Sequence, residues 1–256
     1  MESKEKHSGP PGTDEIDFGF RRVAADDHTG LVRGVFDSVA RRYDLMNDLM
    51  SGGLHRLWKA ALLDRVAPRP GMRLIDVAGG TGDVASGFLR RGGGSAVICD
   101  INEEMMRAGI DRDLDRGIAN GAARVCGDAA AMPLATACAD ACTIAFGLRN
   151  VTRRQEALAE MRRILDIGGH FLCLEFSPAV LPQLKPIYDA YSFRVLPWLG
   201  ARVANDADSY EYLAESIRRF PEPEILAGEM TEAGFGNVTC TALSGGIVWL
   251  HSGWRV

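Results

Sequence analysis

The stretch Leu74–Asp83, LIDVAGGTGD, restricts the fold more than any other part of the chain. Leu74, Ile75 and Val77 form an apolar run broken by one acid, Asp76, and the run ends in Ala78-Gly79-Gly80-Thr81-Gly82. Such a run suits a buried parallel strand with Asp76 near its carboxyl end. The glycines suit a turn in which the backbone must approach another group closely. Val84, Phe88 and Leu89 follow at helical spacing. Strand, glycine turn and helix open a nucleotide-type βαβ unit, whose ligands sit beyond the carboxyl ends of the strands.

The flanking pattern repeats that unit. Strands are predicted at 73–77, 95–100, 123–127, 139–146 and 169–176, with helices at 82–91, 103–117 and 152–165 between them. Asn102 or Glu103 opens the second of these helices, and Thr152 caps the third with Gln155 at the capping-box position. Alternation of this kind implies an α/β fold, a Rossmann-like doubly wound and mostly parallel sheet with helices on both faces. Two amphipathic helices, about 31–48 and 54–66, precede the first strand and stop at Ala67-Pro68-Arg69-Pro70-Gly71. A helix near 223–233 and alternating runs at 236–243 and 247–251, joined at Ser244-Gly245-Gly246, suit a terminal antiparallel hairpin. The expected division is a disordered tail over 1–17, a helical cap over 18–71, the α/β core over 72–177, a helical insert over 178–220, and a helix and hairpin completing the sheet over 221–256.

Composition removes several function classes. Hydrophobic residues make up 46% of the 256, enough for a core without covalent staples. The net charge of −5 offers no basic field for nucleic acid. No apolar run reaches the ~18 residues that span a bilayer. The polar amino end lacks both a signal-peptide core and an Arg-rich amphipathic pattern, so a cytoplasmic protein is expected. The six cysteines include no CxxC, and no His stands near Cys138 and Cys142; reduced core thiols are expected, and no metal.

Four positions build the site. Gly80-x-Gly82-x-x-Ala85 alone also fits a dinucleotide fingerprint. Asp100, ending the second strand, can accept both ribose hydroxyls of an adenosine, a requirement NAD and S-adenosylmethionine share. Asp128, in Gly127-Asp128-Ala129 after the third strand, can meet the adenine amine. Asp76 would crowd a pyrophosphate but suits the ammonium and sulfonium of S-adenosylmethionine; its alternative role is a turn-capping carboxylate. No Lys or Arg lies within 78–86 to hold a phosphate. The balance favours S-adenosylmethionine. A nicotinamide oxidoreductase and a non-catalytic adaptor that keeps the fold are the rival readings.

Tyr43-Asp44-Leu45-Met46-Asn47, with Ser51, His55 and Trp58, resembles the first signature of the ubiquinone/menaquinone biosynthesis C-methyltransferases, the UbiE type. Gly168-Gly169 followed by Leu174-Glu175-Phe176-Ser177 resembles the second. The runs TIAFGLRNV at 143–151 and SYEYLAESI at 209–217 are also similar to this family, and the likeness extends from Phe18 to the last residues. Asp166-Ile167 departs from the family's usual Lys-Pro, and Ala145 stands where some members have Ser. The resemblance implies a class I S-adenosylmethionine-dependent methyltransferase that methylates a ring carbon of a polyprenylated benzoquinol, of demethylmenaquinol, or of both. By position, Thr81, Asp100, Asp128 and Ala129 would contact the cofactor, joined by Asp76, Gly80 and Gly82 from the reading above. Arg149 and Tyr43 would face the substrate as catalytic candidates. Implied partners are the quinol and a membrane surface bound peripherally, with a homodimer and other quinone-biosynthesis enzymes as further options and no nucleic acid.

The chemistry sets a role for Arg149. A neutral quinol carbon is a poor nucleophile until an adjacent hydroxyl, with a pKa of about 10, loses its proton. Arg149 can stabilise the phenolate but cannot act as a free base, and its alternative role is a surface salt bridge. A water polarised by Arg149 and a nearby carboxylate would take the ring proton, with Glu175 orienting Arg149 or lining the ring pocket. Tyr43, Asp44 and Asn47 either close over the cleft or form a helix-end network, and His55 fits a structural partner better than a base. Asn205, Asp206 and Tyr210 either reach the ring or cap a helix. Aromatic and apolar residues over 184–199 either pack as a lid or admit a prenyl tail.

Overall fold

The computed structural model describes residues 15–39, 47–48, 50–115, 121–195, 198, 202 and 207–256. The chain opens with two short antiparallel strands, β1 (Glu15–Phe18) and β2 (Arg21–Ala24), then helices α1 (Ala25–Val39) and α2 (His55–Val66). The core alternates β3 (Arg73–Val77), α3 (Asp83–Arg90), β4 (Ser95–Asp100), α4 (Glu103–Asp115), β5 (Ala123–Cys126), β6 (Ala139–Ala145), α5 (Arg154–Ile164) and β7 (Leu165–Phe176). After α6 (Lys185–Ala190) and a π-helical turn at Tyr191–Val195 come α7 (Ala207–Arg219), α8 (Pro223–Glu232), β8 (Phe235–Leu243) and β9 (Val248–Arg255).

Seven strands form one sheet in the order β5-β4-β3-β6-β7-β9-β8. The pairs from β5 to β7 are parallel, and β9 runs antiparallel to β7 and β8. Alternate residues of each strand face opposite layers. Leu74, Leu172 and Leu174 pack with Trp58, Leu62 and Phe88, whereas Ile75, Phe171 and Cys173 pack with Leu158, Met161 and Ile164. Burial on both faces explains why these strands read as unbroken apolar runs. The chain leaves β3 toward β4 and β5, then crosses back to β6 on the other side. That reversal opens a crevice at the carboxyl ends of β3 and β6, where ligands of such sheets bind.

The sheet and its hairpin follow the sequence pattern closely. Three departures have local causes. A hairpin occupies 15–24, overlapping the stretch expected to be a disordered tail. Its four-residue strands carry too little alternation to stand out, and distant contacts hold it: Phe20 donates its N–H to Glu215 at 2.9 Å, and Phe18 stacks on Tyr212 at 4.3 Å. The first helix begins at Ala25 rather than near 31. The strand expected at 169–176 starts at Leu165 because Ala139 pairs with Leu165 while Ala141 already pairs with His170. Residues 166–169 therefore loop out, using the left-handed Gly168 (φ 78°).

Candidate active site

The crevice is floored by the four carboxyl-end loops of β3 to β6. Gly80, Asp100, Asp128, Ala129, Phe146 and Asn150 line it, and α1 roofs it with Thr29, Val32, Arg33 and Phe36. Asp100 is fixed by backbone donors: Oδ2 accepts the Gly80 N–H and Oδ1 the Asn102 N–H, each at 2.8 Å. Burial pushes its carboxyl upward while these donors favour the charged form. Asn102 does two further jobs. Its Oδ1 accepts the Met105 N–H at 2.9 Å, capping α4, and its Nδ2 donates to Asp37 Oδ1 at 2.8 Å, tying the roof to the floor. The glycine turn is needed for close approach. Gly80 and Gly82 have φ of 53° and 89°, and a Cβ on Gly82 would sit 2.6 Å from Ile98 Cδ1.

Two non-glycine residues share that left-handed region beside the crevice, Ala78 (φ 49°) at the end of β3 and Phe146 (φ 61°) at the end of β6. Each costs about 1–2 kcal/mol. Neighbouring strands hold them there, since Ala78 donates to the Cys99 carbonyl at 2.7 Å and Phe146 to the Leu174 carbonyl at 2.8 Å. Strain stored in this way concentrates at functional sites.

Of the expected cofactor residues, Gly80, Asp100, Asp128 and Ala129 line the crevice, while Asp76, Thr81 and Gly82 stand behind its wall. Asp128 Oδ1 accepts the Ala130 N–H at 2.9 Å, and its Oδ2 pairs with Arg153 at 2.9 Å. Asp76 is buried beneath the turn; Thr143 donates its hydroxyl to Oδ1 at 2.8 Å, and Oδ2 has no hydrogen-bond partner among the described residues. Burial is the main reason its carboxyl rises to about 7, with the Thr143 bond acting against it. Thr81 is held by Arg112, which donates to its hydroxyl at 3.2 Å and its carbonyl at 2.9 Å. The sequence shows no cation within 78–86, but the fold brings in Lys59 and Arg112. Both bind Asp83, at 2.8 and 2.7 Å, and drive its carboxyl well below the usual range.

Arg149 and Glu175 form a buried pair. Arg149 Nη1 donates to Glu175 Oε1 at 2.6 Å and to the Phe146 carbonyl at 2.7 Å, and the Arg149 N–H reaches Glu175 Oε2 at 3.3 Å. Its guanidinium lies 5.7 Å from the Phe176 ring centroid. Arg149 faces a second cavity with His28 and Tyr212, and Val151 and Thr152 border both cavities. Thr152 does not cap α5, whose preceding residue, Arg153, makes no side-chain cap. Its hydroxyl bonds His28 Nδ1 at 2.8 Å instead, a pull toward α1 that the capping-box pattern did not contain.

Tyr43, Asp44, Asn205 and Asp206 lie outside the described residues. Asn47, Ser51 and His55 form a helix-end network: Ser51 donates to the Asn47 carbonyl at 2.6 Å and lies 3.1 Å from His55 Nδ1. His55 lines a separate basic groove with Arg56, Lys59 and Arg90, and burial followed by Lys59 lowers its pKa. Tyr210 is buried on α7. Sequence reasoning missed the α1 roof because Val32 and Phe36 read as ordinary core spacing. It also passed over Asn150, although that residue adjoins Arg149 in the motif.

The ubiE/COQ5 methyltransferase family model matches residues 22–255. The chain belongs to the ubiE/COQ5 methyltransferase family. A relative named ubiquinone/menaquinone biosynthesis C-methyltransferase UbiE from Paracoccus denitrificans is 54% identical, covering 96% of this chain and 99% of its own. One of the same name from Methylobacterium nodulans is 56% identical, covering 94% and 96%. Among solved structures, a SAM-dependent methyltransferase from Thermotoga maritima superposes with a TM-score of 0.61 at 19% identity, over 88% of this chain and 100% of that one. The [4+2]-cyclase SpnF gives 0.58 at 15%, over 88% and 94%, so this fold also carries other chemistry. As a ubiE/COQ5 family member the chain is a methyltransferase of the class I, S-adenosylmethionine-dependent kind, as the motifs around Tyr43–Trp58 and Leu174–Ser177 implied.

Proposed function

We propose that this methyltransferase places a methyl group from S-adenosylmethionine on a ring carbon of a polyprenylated quinol, in the formation of ubiquinone, menaquinone or both. The observation that carries this reading is the 54% and 56% identity, over nearly the whole length of each chain, with relatives bearing that name. The crevice chemistry fits the donor: Asp100 offers a fixed acid for ribose hydroxyls, and Asp76 under the turn becomes an anion near neutral pH, suited to a cationic ligand. When bound, the donor supplies an electrophilic methyl group on a sulfonium.

The chain's part is to orient the ring and raise its electron density. Arg149 shares its charge with Glu175, so a developing phenolate would meet directed N–H groups rather than a full free cation. Arg149 Nε is buried without a partner among the described residues and is available for this. The pair sits in a buried wall beside Phe146 and Phe176, so no water has to be stripped from it when the ring arrives. The decisive assay offers a short-chain demethylated quinol with labelled S-adenosylmethionine and measures methyl transfer. No transfer to either benzoquinol or naphthoquinol sinks the reading. Titration with NADH against S-adenosylhomocysteine separates it from a nicotinamide enzyme, and quinone profiling after gene deletion identifies the substrate.

A peripheral membrane contact belongs to the same reading. No described helix is long and apolar enough to cross a membrane. Phe20, Phe193 and Trp198 are 50%, 40% and 54% exposed, and Phe20 stacks on Phe193 at 6.3 Å. Arg219, Arg218 and Arg202 lie over these rings, at 5.6, 5.3 and 5.0 Å. Aromatic rings fringed by arginine suit an anionic lipid surface. Tyr188, in the same stretch, is instead buried, with the Arg218 guanidinium 4.8 Å from its ring centroid. Wild type should sediment with anionic liposomes more than Trp198→Ser; equal sedimentation removes this contact.

A further inference from the structure

We propose that Tyr212 is a positioning residue that fixes the side-chain amide of Asn150 so that its N–H donors face an oxygen of the acceptor ring. The inference rests on the quinol reading above, and its geometry comes from two elements distant in sequence. Asn150 follows β6 and lines the cofactor crevice. Tyr212 lies on α7, is buried, and donates its hydroxyl to Asn150 Oδ1 at 3.1 Å. That bond selects one of the two amide orientations. With Oδ1 turned to Tyr212, Nδ2 turns the other way, and it is buried without a hydrogen-bond partner among the described residues.

An orphaned buried amide donor costs roughly 1–3 kcal/mol. Such a group is retained where a ligand completes it. The residue beside it, Arg149, carries a second orphaned buried donor in Nε. Orphaned donors held ready before the reaction are what a developing oxyanion requires. Burial pushes the Tyr212 hydroxyl up to about 12, so it keeps its proton throughout the working range. Phe18 stacks on the Tyr212 ring at 4.3 Å and fixes its direction. The insert helix and the amino-terminal hairpin thus set one donor in the cleft without entering it.

The proposal separates Tyr212 from a plain packing role because Tyr212→Phe keeps the ring and the stack. Asn150→Ala should lower kcat roughly 100-fold and Tyr212→Phe roughly 10-fold, with S-adenosylhomocysteine affinity within about two-fold of wild type. Tyr212→Phe should add no further loss in the Asn150→Ala background. Losses that multiply in the double variant overturn the coupling. A large fall in S-adenosylhomocysteine affinity with unchanged acceptor kinetics overturns the acceptor as the amide's ligand. A second measurement needs no turnover: the Asn150 side-chain amide resonances, well separated in wild type, should shift and broaden in Tyr212→Phe. Unmoved resonances overturn the positioning role even if turnover falls. Wild-type failure on every quinol, with the resonances shifting as expected, strikes the substrate reading and the acceptor as ligand while leaving Tyr212 as the residue that sets the amide.

Discussion

The floor and the roof of the crevice are built by different physics. On the floor, Asp100 is gripped by two backbone N–H groups whose positions follow from strand register and the glycine turn. The roof is one helix, α1, tied to the floor through side chains, Asn102 to Asp37 at one place and Thr152 to His28 and Thr29 at another. Backbone geometry in a seven-stranded sheet moves only with the sheet. A helix hung from side chains can shift alone. The difference suggests a division of labour: the floor sets which donor binds, and the roof and back wall set what approaches it.

The largest effect should come from the back wall. Arg149 and Glu175 are 3% and 1% exposed, so removing one leaves the other's charge buried and alone. Glu175→Ala should cost about 3–5 kcal/mol by denaturant unfolding. Arg149→Ala should be similar and also lose turnover, with cofactor affinity close to wild type. Replacing both with Met and Leu should recover most of the stability and none of the activity. Recovery of activity would remove the pair from the chemistry and leave it a packing feature.

Next comes the floor. Asp100→Ala deletes the acid and strands the Gly80 and Asn102 N–H groups, so S-adenosylhomocysteine affinity should fall roughly 100-fold by calorimetry. A change under about threefold would mean that Asp100 only shapes the loop.

These elements were legible in the sequence to unequal degrees. Strands 73–77 and 95–100 were readable to the residue because burial on both faces makes their apolar runs continuous. Asp100 was readable because its distance from the glycine turn is set by one βα unit. The roof was not, since Val32 and Phe36 look alike whether they cover core or ligand. The Arg149–Glu175 contact was legible as one of two options for Glu175, and the parallel pairing of β6 and β7 brings these positions, 26 residues apart, together. What the sequence offered was position alone: Glu175 stands at the end of β7 and Arg149 in the turn just past β6.

Asp76 offers a smaller and more diagnostic effect. Its carboxyl sits at about 7 in the fold against an ordinary 3.8. Between those values the folded chain holds a proton that the unfolded chain has released, so its contribution to stability falls as pH rises and is flat above about 7. A cationic ligand beside the ionised acid should therefore bind about tenfold tighter at pH 8 than at pH 6, following the ionised fraction. Asp76→Asn should flatten that rise while keeping an acceptor for Thr143. An unchanged slope would make Asp76 a turn cap that the donor never meets.

The smallest effect tests the roof itself. Thr152→Val removes the bonds to His28 Nδ1 at 2.8 Å and to Thr29 Oγ1 at 3.1 Å without emptying the space. Burial lowers the His28 pKa, and the partner it loses is an uncharged hydroxyl. The global cost should be about 1 kcal/mol. Hydrogen exchange is the sharper measurement, because local opening is read separately from global unfolding. Amides of α1 should exchange faster in the variant while those of β3 and β6 stay as they were. If β3 and β6 loosen equally, floor and roof open as one unit, and the cofactor cannot be held while the covering helix yields to the acceptor.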